Sequence, residues 1–204
     1  MRLIWLFIFF ILLLSVHAQQ DTVSSDFRFN EGIYLTFDEF KSNSPSIEKF
    51  TVKTINGGTY FEFPCEDSTG TVQTCTAENV WGYCKGKNVF MHQGEGALYF
   101  RLQVIGALIH FYAIDIMYVE DYNYRYGYPY STTYRKKTES EKIMLWVDGS
   151  TFYFNYKNFA SFLKSDDPEL YDELQNSKKK RKMIYFFMLK YNKKHPVFIE
   201  NSSL

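Results

Sequence analysis

The sequence predicts an α+β fold: an antiparallel, curled β-sheet built as a meander of hairpins, with C-terminal helices packed on it. Three observations carry this. Between Val80 and Asp115, β-branched and aromatic runs are punctuated by the turn clusters Lys85-Gly86-Lys87-Asn88 and Gln93-Gly94-Glu95-Gly96, the pattern of successive antiparallel hairpins. Ile143–Val147 and Thr151–Asn155 flank Asp148-Gly149, a dipeptide suited to a type I′ turn. After Asn155 the apolar residues recur at helical rather than alternating spacing, and strands followed by helices is the order of an α+β domain of roughly seven to nine strands.

Residues 1–18 stand apart from this fold. Arg2 precedes the unbroken apolar run Leu3–Leu14, and Val16-His17-Ala18 offers a small residue at a cleavage position. Such a run is short for a bilayer span, so it reads as a signal peptide cleaved near Ala18 rather than as an anchor. Periplasmic or extracellular localisation follows. Gln19–Asn30 is polar and aperiodic and reads as a flexible leader. A single domain is expected over 31–199, with a short tail at 200–204.

Within the domain, structure begins at Glu31-Gly32-Ile33-Tyr34-Leu35. Thr36 and Glu39 have the spacing of a capping box for a short helix carrying Phe37 and Phe40 on one face. Phe50, Val52 and Thr54 alternate with polar residues, and Asn56-Gly57-Gly58 turns the chain into Tyr60–Phe63, a first hairpin. The third run of the meander, after Gly96, is long, and Gly106 within it predicts a bulge or bend. Trp146 is placed to pair across the Asp-Gly hairpin with Phe152 or Phe154.

Asn155 caps a helix reaching about Lys164, with Phe159, Phe162 and Leu163 apolar. Asp166 or Asp167 caps a second helix, with Pro168 in its first turn, Glu169 placed for a capping box, and Leu170, Tyr171 and Leu174 as its stripe. A third runs from about Lys178 to Tyr191. Its centre, Met183–Leu189, is apolar all round, which predicts burial on more than one side.

The whole sequence has 23 basic and 23 acidic side chains, 46% apolar residues and 20% aromatics. Core material is plentiful, and a near-neutral chain has no overall field to draw it to nucleic acid. Three cysteines, Cys65, Cys75 and Cys84, lie close in sequence. Export would place them where disulfides persist. Cys65 and Cys75 flank a polar turn and form the preferred bridge; Cys75–Cys84 is the alternative. Zinc is disfavoured because no two cysteines stand at two-residue spacing and no histidine accompanies them.

Residues 117–142 carry the most distinctive chemistry. Tyr122, Tyr124, Tyr126, Tyr128 and Tyr130 recur at strict period two, so one extended strand would present all five on one side. Arg125, Arg135, Lys136 and Lys137 intersperse them, and Gly127 with Pro129 opposes a central strand. The segment reads either as a protruding hairpin or as a Tyr-rich loop, and its rings can stack on sugars or grip a peptide. A second candidate surface is the basic run Lys178, Lys179, Lys180, Arg181 and Lys182, preceded by an acidic stretch from Asp166 to Glu173. It reads either as a solvated face, tolerable at a helix start if the two helices form an antiparallel pair, or as a contact for an anionic membrane or glycolipid surface.

A catalytic reading needs Cys84 with His92 or His110, all three in neighbouring predicted strands. No histidine pair has metal-ligand spacing and no serine stands in a nucleophile elbow. Asp21-Thr22-Val23, Asp67-Ser68-Thr69 and Asn201-Ser202-Ser203 match short glycan-acceptor triplets.

With Glu31-Gly32-Ile33-Tyr34-Leu35, Trp81-Gly82-Tyr83-Cys84 with Gly86-Lys87-Asn88, and Tyr191-Asn192 with His195-Pro196 in hand, the chain resembles an uncharacterised family of exported proteins of Bacteroidota. Trp81-Gly82 with Gly86-Lys87 is also similar to one unit of a WG-type β repeat, without a second copy. Neither resemblance implies an activity, cofactor or catalytic residue. The expected function is a non-catalytic exported binding or envelope-associated protein, without cofactor or metal. Its partner would be an envelope protein, a glycan or an anionic membrane. An envelope hydrolase with a site on the sheet, and a structural subunit of an envelope assembly, are the alternatives.

Overall fold

The computed structural model describes residues 20–23, 27–125 and 128–200. In chain order the elements are β1 (Gln20–Thr22), β2 (Gly32–Tyr34), α1 (Phe37–Lys41), β3 (Thr51–Ile55), β4 (Gly58–Glu66), β5 (Val72–Thr76), β6 (Gly82–Lys85), β7 (Asn88–His92), β8 (Tyr99–Val104), β9 (Leu108–Arg125), β10 (Tyr128–Leu145), β11 (Thr151–Tyr153), α2 (Tyr156–Asp166), α3 (Pro168–Asn176), α4 (Lys180–Lys194) and β12 (Phe198–Glu200). The fold is α+β and all strand pairings are antiparallel.

One curled sheet was expected; the described residues form three. The seven-stranded sheet runs β11-β10-β9-β8-β7-β6-β2, β3-β4-β5 forms a second, and β1 pairs with β12. The last pair docks the stretch read as a flexible leader: Val23 and Phe29 are buried, and Val23 N donates to Val197 O at 2.9 Å. β12 carries the apolar pair Phe198-Ile199, of which Ile199 is buried.

Local chemistry explains most element boundaries. Thr36 Oγ1 accepts from Glu39 N at 3.2 Å, while Glu39 Oε2 accepts from Leu35 N, one residue before the usual capping-box donor. Asn56 and Gly57 both take positive φ, 52° and 81°, as a type I′ hairpin requires. Asn155 accepts from Asn158 N, and Asp167 from Leu170 N, so α2 and α3 start where the capping residues predict. Glu169 does not complete a capping box; it pairs with Lys194 at 2.7 Å.

Two expectations in the meander need correction. The long third run is not one bent strand: it folds into β8 and β9, with Gly106 in the connection and a register shift between Leu102 and Val104. A Cβ on Gly106 would lie 2.7 Å from the Asn192 carboxamide, so glycine admits the close approach of α4. That carboxamide clamps the start of β9, donating to Leu108 O at 2.8 Å and accepting from Leu108 N at 2.7 Å. The Asp148-Gly149 connection is also wider than a two-residue turn, because Leu145 N donates to Ser150 O. Trp146 is drawn out of the hairpin: its N–H donates to Ala107 O, and its ring meets Phe40 at 5.5 Å instead of Phe152 or Phe154.

The long sheet is buried on both faces near β9 and β10. Leu108 and Ile143 face the helices, packing with Phe159, Leu163, Leu174 and Met188. Ile109, Phe111 and Met144, one step out of phase, join Tyr34, Phe40 and Met91 on the other face. That alternation is the period of two expected of a strand. A third cluster, Ile33, Phe61, Val80 and Tyr83, fills the junction with the β3-β4-β5 sheet. Cys65 and Cys75 form a disulfide across β4 and β5, and Cys84 is free and buried. No helix among the described residues is long and apolar enough to cross a membrane.

Candidate functional site

The tyrosine-rich segment is a projecting ribbon. β9 and β10 pair continuously from Leu108↔Leu145 to Arg125↔Tyr128. β8 reaches β9 only as far as Phe111, and β11 reaches β10 only at Lys142–Met144. Beyond Tyr112 and Glu141, therefore, no third strand among the described residues pairs with either backbone edge. From Ile116 to Arg125 alone the ribbon extends roughly 30 Å at the usual strand rise. Residues 131–139 are all exposed, and so are Met117, Tyr118 and Tyr122. Tyr122 is the most exposed of these, at 72%.

The register divides the tyrosines. Tyr122 and Tyr124 lie opposite Ser131 and Pro129, whereas Tyr128 and Tyr130 lie opposite Arg125 and Asn123. Directly opposed residues share a face, so the reversal places positions 122 and 124 on one face and 128 and 130 on the other. Tyr126 lies outside the described residues. Pro129 is tolerated because a two-stranded ribbon has edges that need no further partner.

The arm is fixed at its root. Lys142, buried, contacts Asp115 at 2.6 Å and lies 5.0 Å from the Tyr153 ring centroid. Burial would raise the Asp115 pKa, but the Lys142 ammonium beside it holds the carboxyl below its ordinary range. Farther out, Tyr118 donates to Glu95 at 3.3 Å, and Arg135 lies 3.8 Å from the same carboxylate and 5.7 Å from the Tyr118 ring centroid.

The basic run is a largely solvated face, and the acidic residues pair elsewhere on α4. α3 carboxylates pair with the far end of α4: Lys190 with Glu173, and Lys194 with Asp167 and Glu169. His195 Nε2 also reaches Asp167 at 2.9 Å. Burial would raise the Asp167 pKa, but these partners and the Leu170 N–H bring it down to about 2. Lys178, Lys179, Arg181 and Lys182 are left exposed, and no carboxylate among the described residues forms an ion pair with them. Lys180 donates to Gln175 at 3.1 Å.

Cys84, His92 and His110 are not brought together. Cys84 is buried among the α1-side cluster, where burial and Glu31 push its thiol up to about 11. His92 contacts Gly96 O at 2.6 Å. His110 lies on the helix side within an aromatic cage of Tyr112, Phe154 and Tyr185. Neither of its ring nitrogens has a hydrogen-bond partner; Glu141 stands 3.8 Å away.

Burial lowers the His110 pKa from 6.5 despite the opposing pull of Glu141. The unfolded chain therefore takes this proton first. His110 contributes no loss above pH 6.5, and stability falls as pH drops below that value until the folded-state pKa is passed. Urea midpoints should fall between pH 7.5 and 5.5 by more in the native protein than in a His110→Leu variant. Equal slopes would contradict the neutral, buried imidazole.

One concavity was not legible from the sequence. A cleft of about 730 Å³ opens where the β3-β4-β5 sheet meets the long sheet, bordered by Tyr60, Asn79, Trp81, His92 and Tyr99. Its walls come from segments far apart in the chain, so no local motif announces it. Among the described residues, no group of three or more His, Cys, Asp or Glu side chains is arranged to hold a metal. Comparisons with protein-family models, curated proteins and solved structures find no match.

Proposed function

We propose that this is an exported, non-catalytic binding protein of the cell envelope that engages a protein partner through the β9–β10 arm. The single observation carrying this is the arm itself, a ribbon exposed on both faces and open at both backbone edges. An isolated two-stranded ribbon is marginal in water, so a partner that covers it adds stability. Free edges offer main-chain hydrogen bonds to an added strand, and tyrosine supplies contact area with little conformational loss. The apolar run Leu3–Leu14 and the Cys65–Cys75 disulfide support export. The shielded, high-pKa Cys84 supports a non-catalytic role. The resemblance to the exported Bacteroidota family accords with both.

Shortening the arm tests this reading. Replacing residues 118–135 by Asn-Gly should leave the melting temperature within about 3 °C, since almost no core is removed. It should also abolish recovery of a discrete partner from the envelope fraction. An unchanged set of recovered proteins would contradict the proposal, and so would collapse of the body.

A further inference from the structure

We infer that the outer face of α4 docks on an anionic bilayer surface. The sequence led to the expectation that Met183–Leu189 is buried on more than one side. Instead, α4 buries only the side bearing Phe187, Met188 and Tyr191. Tyr185, Phe186 and Leu189 remain 43%, 52% and 43% exposed. At 3.6 residues per turn, Arg181, Lys182, Tyr185, Phe186, Leu189 and Lys193 fall on one stripe. Large apolar side chains exposed side by side mark an interaction surface more strongly than scattered ones do.

Charge selects the occupant. From Lys178 to Lys194 the chain contains no acidic residue. Asp167, Glu169 and Glu173 are engaged with Lys190 and Lys194, away from this stripe. Lys178, Lys179, Arg181 and Lys182 therefore flank the apolar triplet without a carboxylate partner among the described residues. Aromatic and leucine side chains interleaved with lysine and arginine on one helix face suit the boundary between lipid headgroups and acyl chains. The basic side chains then meet lipid phosphates, as Tyr185, Phe186 and Leu189 enter the apolar margin.

A groove continues the same surface. It is about 690 Å³ in volume, shares Leu189 and Lys193 with α4, and adds Phe27, Ile105, Lys87 and Arg101. The apolar floor and the added cations extend the complementarity to a negatively charged, acyl-bearing surface.

The test is vesicle flotation of protein beginning at Gln19, which keeps every described residue and removes the apolar run Leu3–Leu14. The protein should float with phosphatidylcholine vesicles containing about one quarter phosphatidylglycerol, stay behind with pure phosphatidylcholine, and release as salt rises. Phe186→Ser with Leu189→Ser should weaken partitioning about tenfold or more without lowering the melting temperature. Arg181→Ser and Lys182→Ser should each weaken it about fivefold. The arm-shortened protein should float like its parent, which separates this inference from the partner-binding reading. Failure to float with anionic vesicles would overturn it. So would serine variants that float unchanged, or a concentration-dependent dimer that Phe186→Ser abolishes, since the face would then belong to a second copy.

Discussion

Phe40→Ala should lower stability by about 3–5 kcal/mol, the range for emptying a fully buried aromatic site. Phe40 is completely buried, and rings from the 29–34 stretch, from Trp81 and from Trp146 meet around it. Its ring stacks on Phe29 at 4.7 Å and on Trp81 at 4.6 Å, and meets Tyr34 and Trp146 edge-on at 5.9 and 5.5 Å. Truncation removes a large apolar surface and leaves rings that cannot collapse together, because each is held by a different strand or loop. Phe40→Leu keeps much of the volume and should cost less. Urea unfolding of both variants checks the prediction; a loss below about 1 kcal/mol for alanine would show that α1 is peripheral.

Asn192→Leu should cost about 3–4 kcal/mol through a different mechanism. The carboxamide satisfies both the N–H and the C=O of Leu108, a residue with no solvent exposure. Leucine would leave both backbone groups buried without partners, at about 1–3 kcal/mol each. It would also press more volume against Gly106, where even a Cβ would lie 2.7 Å from the native side chain. Thermal unfolding with amide exchange at Leu108 is the direct readout. Unchanged protection there would contradict the clamp.

How much of this was legible in the sequence depended on the range of the interaction. Thr36, Asn155 and Asp167 announce their helices because a cap acts on donors within three residues. Asn56-Gly57 announces its hairpin because the turn conformation is a property of those two residues. Cys65 and Cys75 were readable because they flank a single turn.

What was not legible is set by distant partners. Trp146 leaves its hairpin for Phe40 and Ala107, which local cross-strand logic cannot foresee. The chain does bend at Gly106, but the close approach of Asn192, far along the chain, had no local signal. The period-two tyrosines signalled an extended backbone, but a reversal within them puts positions 122 and 124 on one strand and 128 and 130 on the other. The all-round apolar centre of α4 suggested full burial, yet hydrophobicity alone does not say which neighbour covers which side. The cleft between the sheets had no sequence signature for the same reason.

Site-specific photocrosslinking from position 122 tests the central claim most directly. A photoreactive residue replacing Tyr122 should join the exported protein to one discrete envelope partner. The same group at Val72, exposed on β5 and not part of the arm, should not. Identical products from both positions, or none from position 122 in intact envelopes, would contradict the arm as the docking surface.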